Sequence, residues 1–344
     1  MTGKKKLLLT VVLLMSLIMV GLFQGYSEAA NVYTCKLATD EPEGTPKNKA
    51  QLYFIDRVAE LTNNEVKITL YPGNQLGSSR ELIESTQMGS IQAVAVPTST
   101  VAGFEPKISI FDLPFLFPTR EIGYAVIESE VGDAVLSTLE KHGLVGIAFY
   151  GTGWKQFTGN FKIEGPESFK GKKIRVMENP ILITQFEALG AGAIPINFGE
   201  LYNALQQSVV DGQENPIVTC YQMKFYEVQK YMAISDHAYL PNVFAFNKDW
   251  FYGLPKEHQQ AIRTAGKEMD VVLQAEVKVQ EMEKFLPEMK KAGIEVVELD
   301  QKTRAAFAEV IQEPTRARFF ELVDDEGKEL LKKVDEKIAQ LQIN

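Results

Sequence analysis

From residue 31 onward the hydrophobic positions switch repeatedly between a two-residue and a 3.6-residue period. Residues 32–37 read as a strand. Leu52, Phe54, Ile55, Val58 and Leu61 recur at helical spacing, and Val66, Ile68 and Leu70 alternate as a half-buried strand before the turn Tyr71-Pro72-Gly73-Asn74. A helix over 79–88 then leads to a strand over 91–96. The stretch from Phe111 to Pro118 has two prolines that lack amide donors and restrain their neighbours, so it predicts an irregular apolar connection. A strand over 144–150 comes next, followed by the glycine-flanked segment Gly151-Thr152-Gly153-Trp154. A second alternating block runs to about Leu240. Strands alternating with helices predict an α/β class with helices packed on mostly parallel sheets.

Residues 255–291 carry one long helical pattern through Ile262, Val271, Val272, Val277, Met282 and Phe285, with Pro287 placed to bend or end it. A helix of that length suits a position across two domains. A last strand over 294–299 and a charged amphipathic tail complete the chain. The break after residue 150 marks the expected crossover, so the predicted organisation is 31–152 plus 241–280 for one domain and 153–240 plus 281–344 for the other.

The first thirty residues follow a different rule. Lys4-Lys5-Lys6 precedes an apolar run from Leu7 to Phe23, and Ser27, Ala29 and Ala30 offer a small-residue cleavage site. This predicts a signal peptide, removed on export to the periplasm. With 45 acidic against 36 basic residues the chain has a net charge of −9, and losing those lysines makes it more acidic. Broad nucleic-acid contact, which needs clustered basic side chains, is therefore not expected.

No catalytic or cofactor signature stands out. The three histidines form no HExxH, and Cys35 and Cys220 lie in separate predicted elements, so no metal site is expected and two buried free thiols are favoured over a disulfide. Gly151-Thr152-Gly153 and Gly190-Ala191-Gly192 do not complete a dinucleotide fingerprint, and no GxSxG elbow occurs. No cofactor is predicted. Arg175 ends a short strand before Asn179-Pro180, where ligands of open α/β sheets sit; a guanidinium there can grip a carboxylate through two parallel hydrogen bonds, and a surface ion pair fits the spacing equally well. Asp211-Gly212-Gln213-Glu214-Asn215-Pro216 reads as a polar turn, either ordinary or ligand-facing.

Taken in order, Leu70-Tyr71-Pro72-Gly73-Asn74-Gln75-Leu76-Gly77, Asp112-Leu113-Pro114-Phe115, Lys173-Ile174-Arg175-Val176, Phe198-Gly199-Glu200-Leu201-Tyr202, Asp211-Gly212-Gln213-Glu214-Asn215-Pro216 and Lys224-Phe225-Tyr226-Glu227 closely resemble the DctP-type substrate-binding proteins of TRAP (tripartite ATP-independent periplasmic) transporters. The resemblance spans essentially the whole chain after the leader. It implies a two-domain periplasmic-binding-protein fold with crossing strands, an interdomain cleft and a long helix shared by both domains. It further implies a monomeric carrier, not an enzyme, that closes over an organic acid and delivers it to membrane permease subunits. By the family pattern Arg175 is the carboxylate clamp, Asn215 assists it and Phe198 lines the cleft. Lys155 stands where many members have a second basic residue, with Trp154 before it. Ser99 is placed to donate to ligand hydroxyls, and Trp154 and Tyr239 to stack on or enclose the ligand. A sugar acid, a dicarboxylate and an aromatic carboxylate all remain open as ligands. The rival readings are a ligand sensor that presents its bound state to a receptor and a secreted enzyme acting on an organic acid.

Overall fold

The computed structural model describes residues 31–343; the expected signal peptide lies outside them. Ten strands form one open mixed sheet: β1 (Tyr33–Thr39), β2 (Val66–Tyr71), β3 (Ala93–Pro97), β4 (Leu144–Gly159), β5 (Lys173–Val176), β6 (Gly192–Pro195), β7 (Gly212–Pro216), β8 (Tyr231–Ile234), β9 (Tyr239–Asn247) and β10 (Glu295–Glu298). Neighbours run β2-β1-β3-β9-β4-β7-β5-β6, with β8 paired to β4 and β10 to β8. Pairs made through helical crossovers, such as β1 with β2 and β3 or β5 with β6 and β7, are parallel.

The two halves of this sheet meet on β4. From Leu144 to Trp154 its partner is β9, and from Lys155 to Gly159 its partners are β7 and then β8. The segment expected to break the strand thus continues it. A register shift between Gly151 and Trp154, with Gly153 at φ +120°, lets one extended strand change partners without ending. The crossing strand is paired with β9 before the crossing and with β7 and β8 after it, a ladder that a loop at this depth would not provide.

Each half has its own core. Phe54, Val58, Phe244, Phe246, Ile262, Met269 and Leu273 pack one face of the first half against the long helix, and Phe111, Val131, Val135, Phe149 and Leu331 fill the other. Phe157, Phe169, Phe186 and Phe307 form the core of the second half. The helix Lys256–Gln280 lies against β4 and the helix Pro46–Leu61, then passes through a π-helical turn at Glu281–Phe285 into Leu286–Ala292, which packs near the helix Ile217–Gln222. The wide turn precedes Pro287, whose ring and missing amide a regular helix would not accept.

The C-terminal helix Asp325–Ile343 differs from the expected division. It packs on Arg120–Ile127 and Glu130–Ser137, so the tail returns to the first half after the helix Gln301–Leu322 has covered the second. Its apolar residues Leu330, Leu331, Val334 and Ile338 join Phe111, Val131 and Phe149 in the core on the other face of the first half, a destination that an amphipathic stripe alone does not name. Cys35 and Cys220 are buried and unpaired.

Candidate functional site

A cleft of about 340 Å³ opens between the two halves. It lies at the carboxyl ends of parallel strands: Asp40 follows β1, Thr100 follows β3, Arg175 is the next-to-last residue of β5 and Met177 follows it, Asn197 and Phe198 follow β6, and Asn215 is the next-to-last residue of β7. That is where open α/β sheets leave a crevice.

Strand parity decides what each residue faces. Ile174 and Val176 point into the core of the second half, so Arg175 between them points to the opposite face. Arg175 registers with Gln213, and Asn215, two residues on, shares that face. Asn215 Nδ2 donates to Gln213 Oε1, and Gln213 Nε2 donates to Thr158 Oγ1 at 2.8 Å, which fixes the amide wall beside the guanidinium. Arg175 itself is 3% exposed. Its Nε donates to the Ile196 carbonyl at 2.9 Å, and no carboxylate of the described residues comes within 4 Å of it. Burial pulls its pKa down to about 10, with Glu214 and Asp40 opposing that fall. A buried guanidinium held by one carbonyl, its remaining N–H groups turned to a cleft, is suited to a bidentate oxyanion.

The opposite parity sends Lys155, Phe157 and Glu214 into the interior. Lys155 therefore does not line the cleft: it is fully buried, with Nζ 2.7 Å from Glu214 Oε1. Glu214 Oε2 accepts from Gln185 Nε2 at 2.7 Å and lies 2.7 Å from the His237 ring, which stacks on Phe157 at 3.9 Å. Burial alone would raise the Glu214 pKa, but Lys155 and the His237 contact hold it well below the usual carboxylate range. Burial likewise lowers the pKa of His237. The segment expected to be a polar turn is thus a buried central strand. Its polar side chains are tolerated because Gln213 and Glu214 find partners in β4 and other segments and Asn215 bonds to Gln213.

Three further expected residues stand off the cleft. Trp154 is buried against Phe117 and Tyr239, with ring centres 6.0 and 5.8 Å away, and Tyr239 packs edge-on to Tyr124 at 5.3 Å. Ser99 donates to Asp112 Oδ1 at 2.6 Å, and the same carboxylate accepts from Thr98 Oγ1 and Asn179 Nδ2. Burial raises the Asp112 pKa to about 6. Phe198, in contrast, lines the cleft, set by an edge contact with Phe225 at 6.4 Å.

The opposing wall escaped the sequence reading. Asp40 is buried, accepts from Ser79 Oγ at 2.7 Å and lies beside Lys47, whose Nζ contacts Glu41 Oε2 at 2.5 Å. Thr45 caps the helix Pro46–Leu61 and so aims its first turn, with Lys47, at the cleft. At the mouth, Arg80 reaches from one half to Glu178 of the other at 3.8 Å while also pairing with Glu84 at 3.2 Å. The strand-end rule that singled out Arg175 applies equally to Asp40 at the end of β1, and that signal was available.

Residues 37–322 match the model of the bacterial extracellular solute-binding protein family 7, DctP. The chain is 36% identical over 272 residues to the C4-dicarboxylate-binding periplasmic protein DctP of Rhodobacter capsulatus, covering 78% of this chain and 80% of that one. It is 34% identical to the 2,3-diketo-L-gulonate-binding periplasmic protein YiaO of Escherichia coli, over 82% and 85% of the two chains. Its fold is similar to that of a TRAP periplasmic solute-binding protein from Desulfovibrio salexigens with bound orotic acid: TM-score 0.87, 36% identity, 90% of this chain and 99% of that one covered.

Proposed function

The chain belongs to the bacterial extracellular solute-binding protein family 7, and we propose that it captures an organic acid in the cleft and delivers it to the membrane permease of a TRAP transporter. The observation that carries this reading is Arg175: a buried cation whose nearest counter-charges are too far to pair with it, at the carboxyl end of a central strand. The ligands named for the three relatives above are all carboxylic acids, and one carboxylate meets the unused valence of that guanidinium. Asn215 holds the second edge of the carboxylate and Phe198 covers an apolar face of the ligand body. The acid leaves chemically unchanged, and the carrier works as an exported monomer in the periplasm.

Two lobes hinged where β4 changes partners, near Gly151–Gly153 and Leu240–Asn242, close over the acid. Closure removes water from around Arg175 and strengthens its grip. The test is calorimetry on protein freed of co-purified ligand, after mass spectrometry has identified that ligand. Arg175→Met is expected to weaken its binding by about 2–4 kcal/mol. Unchanged affinity in a folded variant removes Arg175 from the site, and turnover of the bound acid replaces the carrier by an enzyme.

A further inference from the structure

The charges around the cleft are almost fully matched before any ligand is considered. Three cations line it among the described residues: Lys47, Arg80 and Arg175. Lys47 is taken by Glu41 at 2.5 Å, with its side chain almost wholly buried, and Arg80 is shared by Glu84 and Glu178. Arg175 alone has no carboxylate within 4 Å. The anions of the lining are Asp40, in the half opposite Arg175, and the exposed Glu178 and Glu200, of which Glu178 meets Arg80.

Asp40 is the decisive one. It is buried, with Glu41 next in sequence and also buried; burial raises its pKa while Lys47 and the Ser79 hydroxyl favour its charged form, and that charge is felt at Arg175 across the cleft. A ligand carboxylate on Arg175 neutralises the one open cation. A second carboxylate on the same ligand would then lie toward Asp40 and Glu41, where the one cation, Lys47, is already held by Glu41, in a setting where water screens poorly. A hydroxyl or an amide N–H in that place donates to Asp40 instead and is satisfied. Discrimination here comes from a repulsive element as much as from an attractive one.

We infer that the cleft selects a carboxylic acid carrying a single negative charge and hydrogen-bond donors along its body, such as a sugar acid or a heterocyclic acid with ring N–H groups, and rejects dicarboxylates of similar size. This rests on Arg175 being the carboxylate clamp. The test is calorimetry near neutral pH on the ligand-freed protein with D-galactonate, D-erythronate and orotate as singly charged probes and succinate and malate as doubly charged ones. The tightest binder is expected among the first three, by about tenfold or more over either dicarboxylate. Monomethyl succinate, with the body of succinate and one charge fewer, is expected to bind more tightly than succinate. In Asp40→Asn the disadvantage of succinate should shrink; should that variant not fold, the ranking by the unaltered protein decides alone. Succinate or malate binding most tightly, with that binding lost in Arg175→Met, overturns the selectivity while leaving the clamp intact. Binding by none of the five acids, or binding that survives Arg175→Met, defeats the clamp and the selectivity with it.

Discussion

Lys155 Nζ and Glu214 Oε1 stand 2.7 Å apart in the interior of the second lobe, one on β4 and the other on β7, with essentially no solvent at either group. The pair lies on the face of the sheet opposite Arg175 and Asn215, so it supports the cleft floor from behind. Lys155→Met would leave the Glu214 carboxylate buried with only Gln185 and His237, an uncompensated charge that costs about 3–5 kcal/mol. Denaturant unfolding should show that loss, and calorimetry on the folded fraction should show an unchanged ranking of acids. A variant of ordinary stability with altered ligand preference would return Lys155 to the cleft.

Arg175 has the opposite signature. A buried cation without an ion-pair partner taxes the ligand-free fold, so Arg175→Met should keep or raise the melting temperature of the ligand-free protein while abolishing the upward shift that ligand produces. A melting temperature several degrees lower than that of the parent would mean the guanidinium is chiefly structural.

Gly151 lies where β4 changes partners, at the proposed hinge. A Cβ there would sit 2.6 Å from the Leu240 carbonyl and 2.8 Å from the Tyr239 hydroxyl, closer than any real contact, so Gly151→Ala must spread β4 from β9. The parent protein should contract on ligand addition in small-angle scattering, and the variant should contract less at equal occupancy. A ligand-bound parent with no change in radius would argue against closure.

Asp270 on the long helix accepts from the Gly151 amide and from Gln274, which also donates to the Gly151 carbonyl at 2.8 Å. Burial, with Glu128 nearby, raises its pKa to about 7 from 3.8. The folded state therefore holds a proton that the unfolded chain releases, and this contribution to stability is complete below the ordinary value and disappears as pH rises through about 7. Asp270→Asn should gain stability relative to the parent between about pH 5 and about pH 8, read by melting curves at both. A parent-to-variant difference independent of pH would show that the carboxyl is already ionised in the fold.

Much of this protein was written into its sequence. Alternating periods fixed the α/β class, Pro and Asn marked where β5 gives way to the helix Pro180–Ala188, and a strand-end arginine pointed to the cleft it lines, because propensity, capping and strand direction are local properties. Parity and partnership were not local. Lys155 and Arg175 are both basic residues on strands, yet the face each presents depends on the register of β4 with β7 and of β5 with β7, and a shift of one residue would exchange cleft for core. The polar run from Gln213 to Asn215 is a turn by composition and a buried strand by circumstance, since Thr158, Lys155, Gln185 and His237, gathered from distant segments, satisfy Gln213 and Glu214, and Gln213 in turn receives Asn215. The acidic wall of Asp40 and Glu41 acquires its meaning only when folding sets it opposite Arg175, because the energy of a charge depends on its distance to other charges and on the water that folding removes.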